Sequence, residues 1–311
     1  MMLYSVVVPV YNSEKSLELL YEGVKRTITE TLAQEFELIL VDDSSRDGSF
    51  AVMEKLRAAD KRVKVVQMAK NFGQHKALMC GFSYAKGEYI ITLDDDLQHP
   101  PEEIPKMVEF MASNRDVDVV IGSYDNKKHN IIRKIGSFMT SSLSKIMLGK
   151  SRDLKLTSFR LMRRYVVDAL LKFHETRPRV GHLLLATTNR IKNVEVHHAP
   201  RAYGRSGYSF SKLVSDFMAN LFNNSDLPLK LVGHIGTASF FLSLILGLYY
   251  LIKYFVTGYA ISGFVTPVLL ILGFSGLILF SLGIVGNYLL RVLGESKQKP
   301  LYVIRREETD D

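Results

Sequence analysis

Apolar positions in the first 123 residues fall into short β-branched runs separated by stretches of helical spacing. YSVVVPV is the first run, and residues 13–32 then space their apolar side chains for a helix. FELILVD is a second strand, and DDSSRDGS supplies turn chemistry that caps a helix through about Ala59. RVKVVQM is a third strand, and NFGQHKALMCGFSYAKG leads into a helix stopped by Gly87. EYIITLD is a fourth, Pro101 with Glu102 and Glu103 opens the next helix, and VDVVIGS is a fifth strand. Strands alternating with helices predict an α/β fold: a mostly parallel sheet with helices on both faces.

The pattern changes further on. Ile131, Ile132, Ile135, Phe138, Met139, Leu143, Ile146 and Met147 share one helical face, and residues 209–224 carry a similar stripe from Phe210 to Phe222. Ile235 to Ile252 then holds 18 residues without a charge, and Tyr254 to Leu290 holds 37 more, with Lys253 between. About 20 apolar residues suffice for a helix to cross a bilayer. The second stretch contains a turn at TGYAISG, so two transmembrane helices are expected. Basic residues lie before the pair (Arg205, Lys212, Lys230) and after it (Arg291, Lys297, Lys299, Arg305, Arg306), which puts both ends in the cytoplasm. The expected organisation is a catalytic domain over 1–225, including amphipathic helices at about 131–147 and 209–224. A two-helix anchor follows over 226–294, and a cytoplasmic tail over 295–311. On this reading the α/β core is complete before residue 225.

Charge and composition sharpen the picture. The net charge of +8 is localised: between Asn126 and Arg164 eleven Lys or Arg face one acid, Asp153. Beside amphipathic stripes, such a segment suits an anionic membrane surface. No aromatic-basic interleaving is present, so nucleic acid is not expected as a partner. The single cysteine, Cys80, excludes an intrachain disulfide and fits a reducing compartment as a small core residue. The N-terminus has no basic region, and its apolar run is too short for a signal peptide.

Candidate chemistry collects at the carboxyl ends of the strands, where open α/β sheets bind ligands. Strand one ends in Pro9, Tyr11, Asn12 and Glu14; strand two in Asp42, Asp43 and Ser44; strand four in Asp94, Asp95 and Asp96. No GxGxxG follows strand one, and GxxxxGK[ST] is absent. A bound nucleotide would therefore rely on a metal for its phosphates. Mg²⁺ and Mn²⁺ favour carboxylate oxygens. Strand alternation sends Asp94 and Asp96 toward one point, turns Asp95 elsewhere, and continues to Gln98 as a third ligand.

VVVPVYN, VDDSSRDGS, NFGQHKALMCGF and GEYIITLDDDLQHPPEEIPKM together resemble the family 2 glycosyltransferases of GT-A fold, and among them the dolichyl- and polyprenyl-phosphate sugar transferases. The resemblance covers the chain to about residue 225 and extends to the two apolar helices that bacterial members carry. It implies that Pro9, Tyr11 and Asp43 contact the base and ribose of a nucleotide sugar, with Glu14, Asp42, Asp95 and Arg205 also in that site. It implies Asp94, Asp96 and Gln98 as ligands of Mg²⁺ or Mn²⁺, and Arg201 in RAYGRSGYS as a loop arginine facing the phosphates. Three positions depart from the family: Ser13 displaces the acid to Glu14, Tyr124 stands where members have Arg, and Gly207 stands where the loop commonly has Lys.

The implied activity is inverting transfer from a UDP- or GDP-sugar to polyprenyl or dolichyl phosphate at the cytoplasmic face of a bacterial plasma membrane. A phosphate monoester has a second pKa of about 6 and needs no general base. The basic segment then screens the acceptor phosphate through Arg133 and Arg160. Rival readings are transfer to a polysaccharide or glycolipid and a non-catalytic nucleotide-sugar scaffold. A processive synthase would carry a Gln-x-x-Arg-Trp motif, and the chain has no tryptophan. The oligomeric state is open, a homo-oligomer included.

Overall fold

The computed structural model describes residues 4–124, 154–173, 175, 178–197, 234–235, 241, 245, 248–249, 252, 255–256, 265–296 and 300–309. The chain divides into two units, Met1–Ser206 with Gln298–Asp311, and Gly207–Lys297. The candidate site lies in the first.

A strand buried on both faces has no reason to alternate. All seven residues of β1 (Tyr4–Val10) are buried, and so are all seven of β2 (Phe36–Asp42). β1 pairs in parallel with β2 and with β4 (Tyr89–Thr92), and β2 pairs in parallel with β3 (Val63–Met68). β5 (Val119–Ser123) joins this centre through β6 (Arg160–Arg163), which is antiparallel to both β4 and β5. β7 (Ile191–Glu195) runs parallel to β5, and β8 (Ile304–Glu308) runs antiparallel to β3. The order across the sheet is β7-β5-β6-β4-β1-β2-β3-β8. The five strands read from the sequence are present; β6, β7 and β8 were not anticipated.

Helices cover both faces, as expected. Val6, Val8 and Val10 point to the face packed by α1 (Leu17–Lys25), α2 (Ser49–Ala59) and α4 (Ile104–Ser113). Val7, Ile39 and Val41 point to the face packed by α3 (Gln74–Tyr84), α5 (Arg164–Leu171) and α6 (Val180–Thr187). Cys80 is buried there, as expected. A Cβ on Gly81 would lie 2.3 Å from Val7 Cγ1, so α3 approaches β1 at a glycine. The helical spacing at 13–32 resolves into α1 followed by a π-helical turn, Arg26–Thr31, where Leu32 N–H donates to Thr27 O at 3.1 Å.

Pro9 sits within a central strand, and the topology explains why it is tolerated. β4 ends at Thr92, opposite Val7, so beyond that point β1 has a strand partner only in β2. The chain also reverses its direction of travel across the sheet between β1 and β4. A crevice opens there, at a topological switch point.

Among the described residues no helix is long and apolar enough to cross a membrane. α7 (Val265–Ser296) is long, but several of its side chains lie outside the described residues. The amphipathic helices expected at 131–147 and 209–224 also lie outside them. The C-terminal segment expected as a tail contributes β8, an edge strand of the catalytic sheet.

Candidate active site

Pro9, Val10, Tyr11, Asp43, Asn71, Gly73, Gln74, Asp94, Asp95 and Asp96 line one open cavity of about 270 Å³. These residues come from the carboxyl ends of β1, β2, β3 and β4. The connections there take left-handed backbone: Asn12, Ser44 and Leu97 have φ of 55°, 61° and 62°, while Gly73, at φ of 93°, is a glycine that adopts it freely. Left-handed backbone is costly for residues with a Cβ, and such cost gathers where function requires a particular geometry.

Hydrogen bonds hold the loops in place. Asp43 accepts from Phe72 N–H at 2.6 Å and from Gly73 N–H at 2.8 Å, which ties the end of β2 to the β3–α3 loop. Burial, with Asp42 adjacent, raises the Asp43 pKa despite these bonds. Asp95 accepts from Tyr11 N–H at 2.9 Å and from Ser13 Oγ at 2.5 Å, so it ties the end of β4 to the end of β1. Its pKa is pushed up to about 6, mainly by burial and further by Asp94 and Asp96. Asp94 accepts from Gln74 Nε2 at 2.6 Å and from Ser158 Oγ, and His99 Nδ1 lies 3.5 Å from its Oδ2. Asp96 accepts from Gln98 N–H at 3.1 Å.

Several expected residues stand elsewhere. Asp42 is buried and organises its own turn, accepting from Ser45 N–H and from Gln67 Nε2. Glu14 accepts from Gly48 N–H at 2.8 Å and so braces the β2–α2 loop; it does not line the cavity. Gln98 does not line it either, because β4 ends at Thr92 and Leu97 takes a left-handed conformation, which ends the strand alternation. Asp95 does line it, where alternation would have turned it away. Arg160 is buried on β6 with Nε and Nη1 lacking a hydrogen-bond partner among the described residues. Burial lowers its pKa to about 10, and the charge of Asp94 works in the opposite direction. Arg133, Arg201 and Arg205 lie outside the described residues.

Sequence reasoning gave no role to Asn71, Gly73, Gln74, Ser158 or His99. The first three follow β3, so the strand-end rule could have found them. Ser158 and His99 reach Asp94 through pairing of β4 with β6 and through stacking of His99 on Phe159, with ring centroids 5.5 Å apart. A linear pattern carries no sign of either.

The donor set fits a hard dication in one way only. Among the described residues no three acidic, histidine or cysteine side chains converge as a complete metal cage. Asp94 and Asp96 nevertheless share the cavity, and their charges help raise the pKa of Asp95. Two carboxylates with substrate oxygens and water completing the shell is the usual Mg²⁺ or Mn²⁺ arrangement at a diphosphate.

A family model described as glycosyl transferase family 2 matches residues 5–171. An undecaprenyl-phosphate 4-deoxy-4-formamido-L-arabinose transferase of Proteus mirabilis is 36% identical over 97% of this chain and 93% of its own. Its namesake in Photorhabdus laumondii is 32% identical over 99% and 94%. The fold is similar to crystal structures of glucosyl-3-phosphoglycerate synthase from Mycobacterium tuberculosis. One, in complex with Mn²⁺, UDP and glucosyl-3-phosphoglycerate, gives a TM-score of 0.54 at 15% identity over 72% of this chain and 80% of that one. A second gives 0.52 at 15% identity over 72% and 81%.

Proposed function

From the premise that the chain belongs to glycosyl transferase family 2, we infer that it moves a sugar from a nucleotide sugar to a polyprenyl phosphate. It is a glycosyltransferase, and its relatives are named for this transfer. The observation that carries the reading is the single cavity in which Pro9, Tyr11 and Asp43 meet Asp94 and Asp96.

In this reading Tyr11, half exposed at the rim, offers a face on which a base can stack, and Asp43 accepts from the ribose. Asp94 and Asp96 would hold Mg²⁺ or Mn²⁺, which when bound stabilises charge on a departing diphosphate. Asp94 is oriented for this by Gln74 and Ser158. Asp95 keeps the β1 and β4 loops together, so the base and diphosphate sites hold a constant spacing. An acceptor phosphate is already ionised near neutral pH and attacks without a base. Its requirement is cationic screening, for which Arg160 beside Asp94, with Arg133, Arg201 and Arg205, is our candidate set. Direct displacement inverts the anomeric centre.

The relatives' names favour a formamido-arabinose donor and undecaprenyl phosphate as acceptor. A bacterial membrane setting is part of this proposal, supported by the bacterial source of the relatives and by the two uncharged stretches, Ile235–Ile252 and Tyr254–Leu290.

The test is thermal shift with UDP- and GDP-sugars, with and without Mn²⁺. The correct donor raises the melting temperature by mass action, and only with metal. No shift with any donor, together with transfer indifferent to EDTA, would overturn the reading.

A further inference from the structure

The cavity wall made by Asn71, Gly73 and Gln74 is supported from the far end of the chain. β3 ends at Met68, and the wall begins three residues later. Beside that end lies β8, with Met68 in register with Ile304 and Gln67 with Arg306. One residue on, Ala69 N–H donates to Val303 O at 2.8 Å. Leu301, Tyr302 and Ile304 pack against the same apolar cluster as Phe72. The hydroxyls of Tyr302 and Ser83 lie 3.3 Å apart, and the Tyr84 hydroxyl donates to Glu307. The C-terminal segment therefore grips both β3 and α3, the two elements that flank the loop. Its ion pair, Arg306 with Glu54 at 2.6 Å, is largely exposed and adds little. The backbone ladder and the apolar contacts make the grip.

We propose that β8 and the residues leading into it are a positioning element for the donor cavity. They hold the β3–α3 loop so that the Phe72 and Gly73 N–H groups meet Asp43 and Gln74 reaches Asp94. The proposal rests on reading the cavity as the nucleotide-sugar site. A loop with an unhindered glycine at φ of 93° has many alternatives, and ordering it during binding would weaken affinity. Fixing it beforehand removes that cost. The C-terminal segment would then do more than follow the apolar stretches: it would set the shape of the donor site.

The test uses the full chain in detergent, with UDP plus Mn²⁺ as probe. Ile304→Asp places a carboxylate among apolar neighbours and should loosen the strand. The expected result has two parts. Hydrogen exchange in a peptide covering residues 69–73 accelerates, and the Kd for UDP rises about tenfold, while the KM for a short prenyl phosphate stays within about twofold. Faster exchange at 69–73 with unchanged UDP affinity overturns the proposal. If Ile304→Asp does not fold, Tyr302→Ala is read in the same way. The exchange measurement needs no ligand, so unchanged protection at 69–73 in the loosened variant also overturns the proposal. An unmodified chain that binds neither UDP nor GDP with Mn²⁺ overturns the donor reading instead.

Discussion

Three adjacent aspartates divide their work according to what already holds them. Asp95 accepts from Tyr11 N–H and Ser13 Oγ and so ties the ends of β1 and β4, Asp94 accepts from Gln74 and Ser158, and Asp96 from Gln98 N–H. All three line the cavity, and Asp94 with Asp96 is the pair proposed to hold a dication. Asp96→Ala should therefore lower transfer by at least about a thousandfold while leaving the far-UV circular dichroism unchanged. Full activity of this variant in EDTA would end the metal assignment. A second residue reports on pH. The His75 pKa is lowered to about 4, first by burial and then by Arg160, Arg179 and His182. The unfolded chain takes up this proton near 6.5 and the folded chain only near 4, so stability falls as pH drops through that window and levels off below it. His75→Gln should flatten that segment of the stability profile, by at most a few kcal/mol, as measured by denaturant unfolding at pH 7 and pH 4.5. The acids were legible in the sequence because three in a row at a strand end require a reason. Gln98 lies outside the cavity lining because alternation holds only inside a strand, and Leu97 breaks it.

At the scale of elements, the strands buried on both faces were legible, since YSVVVPV and FELILVD have no other economical reading. β6 (RLMR) and β7 (IKNVE) were not, because four or five mixed residues carry no period of their own. They are strands because β4 and β5 offer them edges. The tight contact of α3 with β1 was also invisible, although Gly81 marks it. Gly81→Ala sets two effects against each other. Helix propensity favours alanine by about 1 kcal/mol. Its Cβ would meet Val7 Cγ1 at 2.3 Å, on a buried β-branched side chain that cannot rotate away. Overpacking of this kind costs about 1–3 kcal/mol, so the net change should be destabilising. A urea midpoint equal to or above that of the unaltered chain would show that α3 can shift outward without cost.

For the whole molecule, the decisive feature is that the catalytic sheet is not finished until residue 308. Read from the sequence, the core closes before residue 225, and everything after the apolar stretches is tail. In the structure β8 covers the β3 edge and places Leu301, Tyr302 and Ile304 on the core. An open edge strand invites pairing with other chains. Deleting residues 231–311 should therefore leave a domain that is less stable and prone to associate. Replacing residues 231–297 with a flexible linker, and so keeping the strand, should not. Three partly buried apolar side chains amount to about 2–4 kcal/mol, which for a domain of this size is about 5–15 °C in melting temperature. The comparison separates two functions of the C-terminal region that a simple truncation confounds. The linker variant should bind UDP with Mn²⁺ like the full chain yet transfer poorly to long-chain prenyl phosphate in vesicles, having lost the proposed anchor but not the strand. The truncated variant should be impaired in both. Equal melting temperatures for the two would mean that the sheet is complete without β8, and the C-terminal segment would then serve the second unit alone.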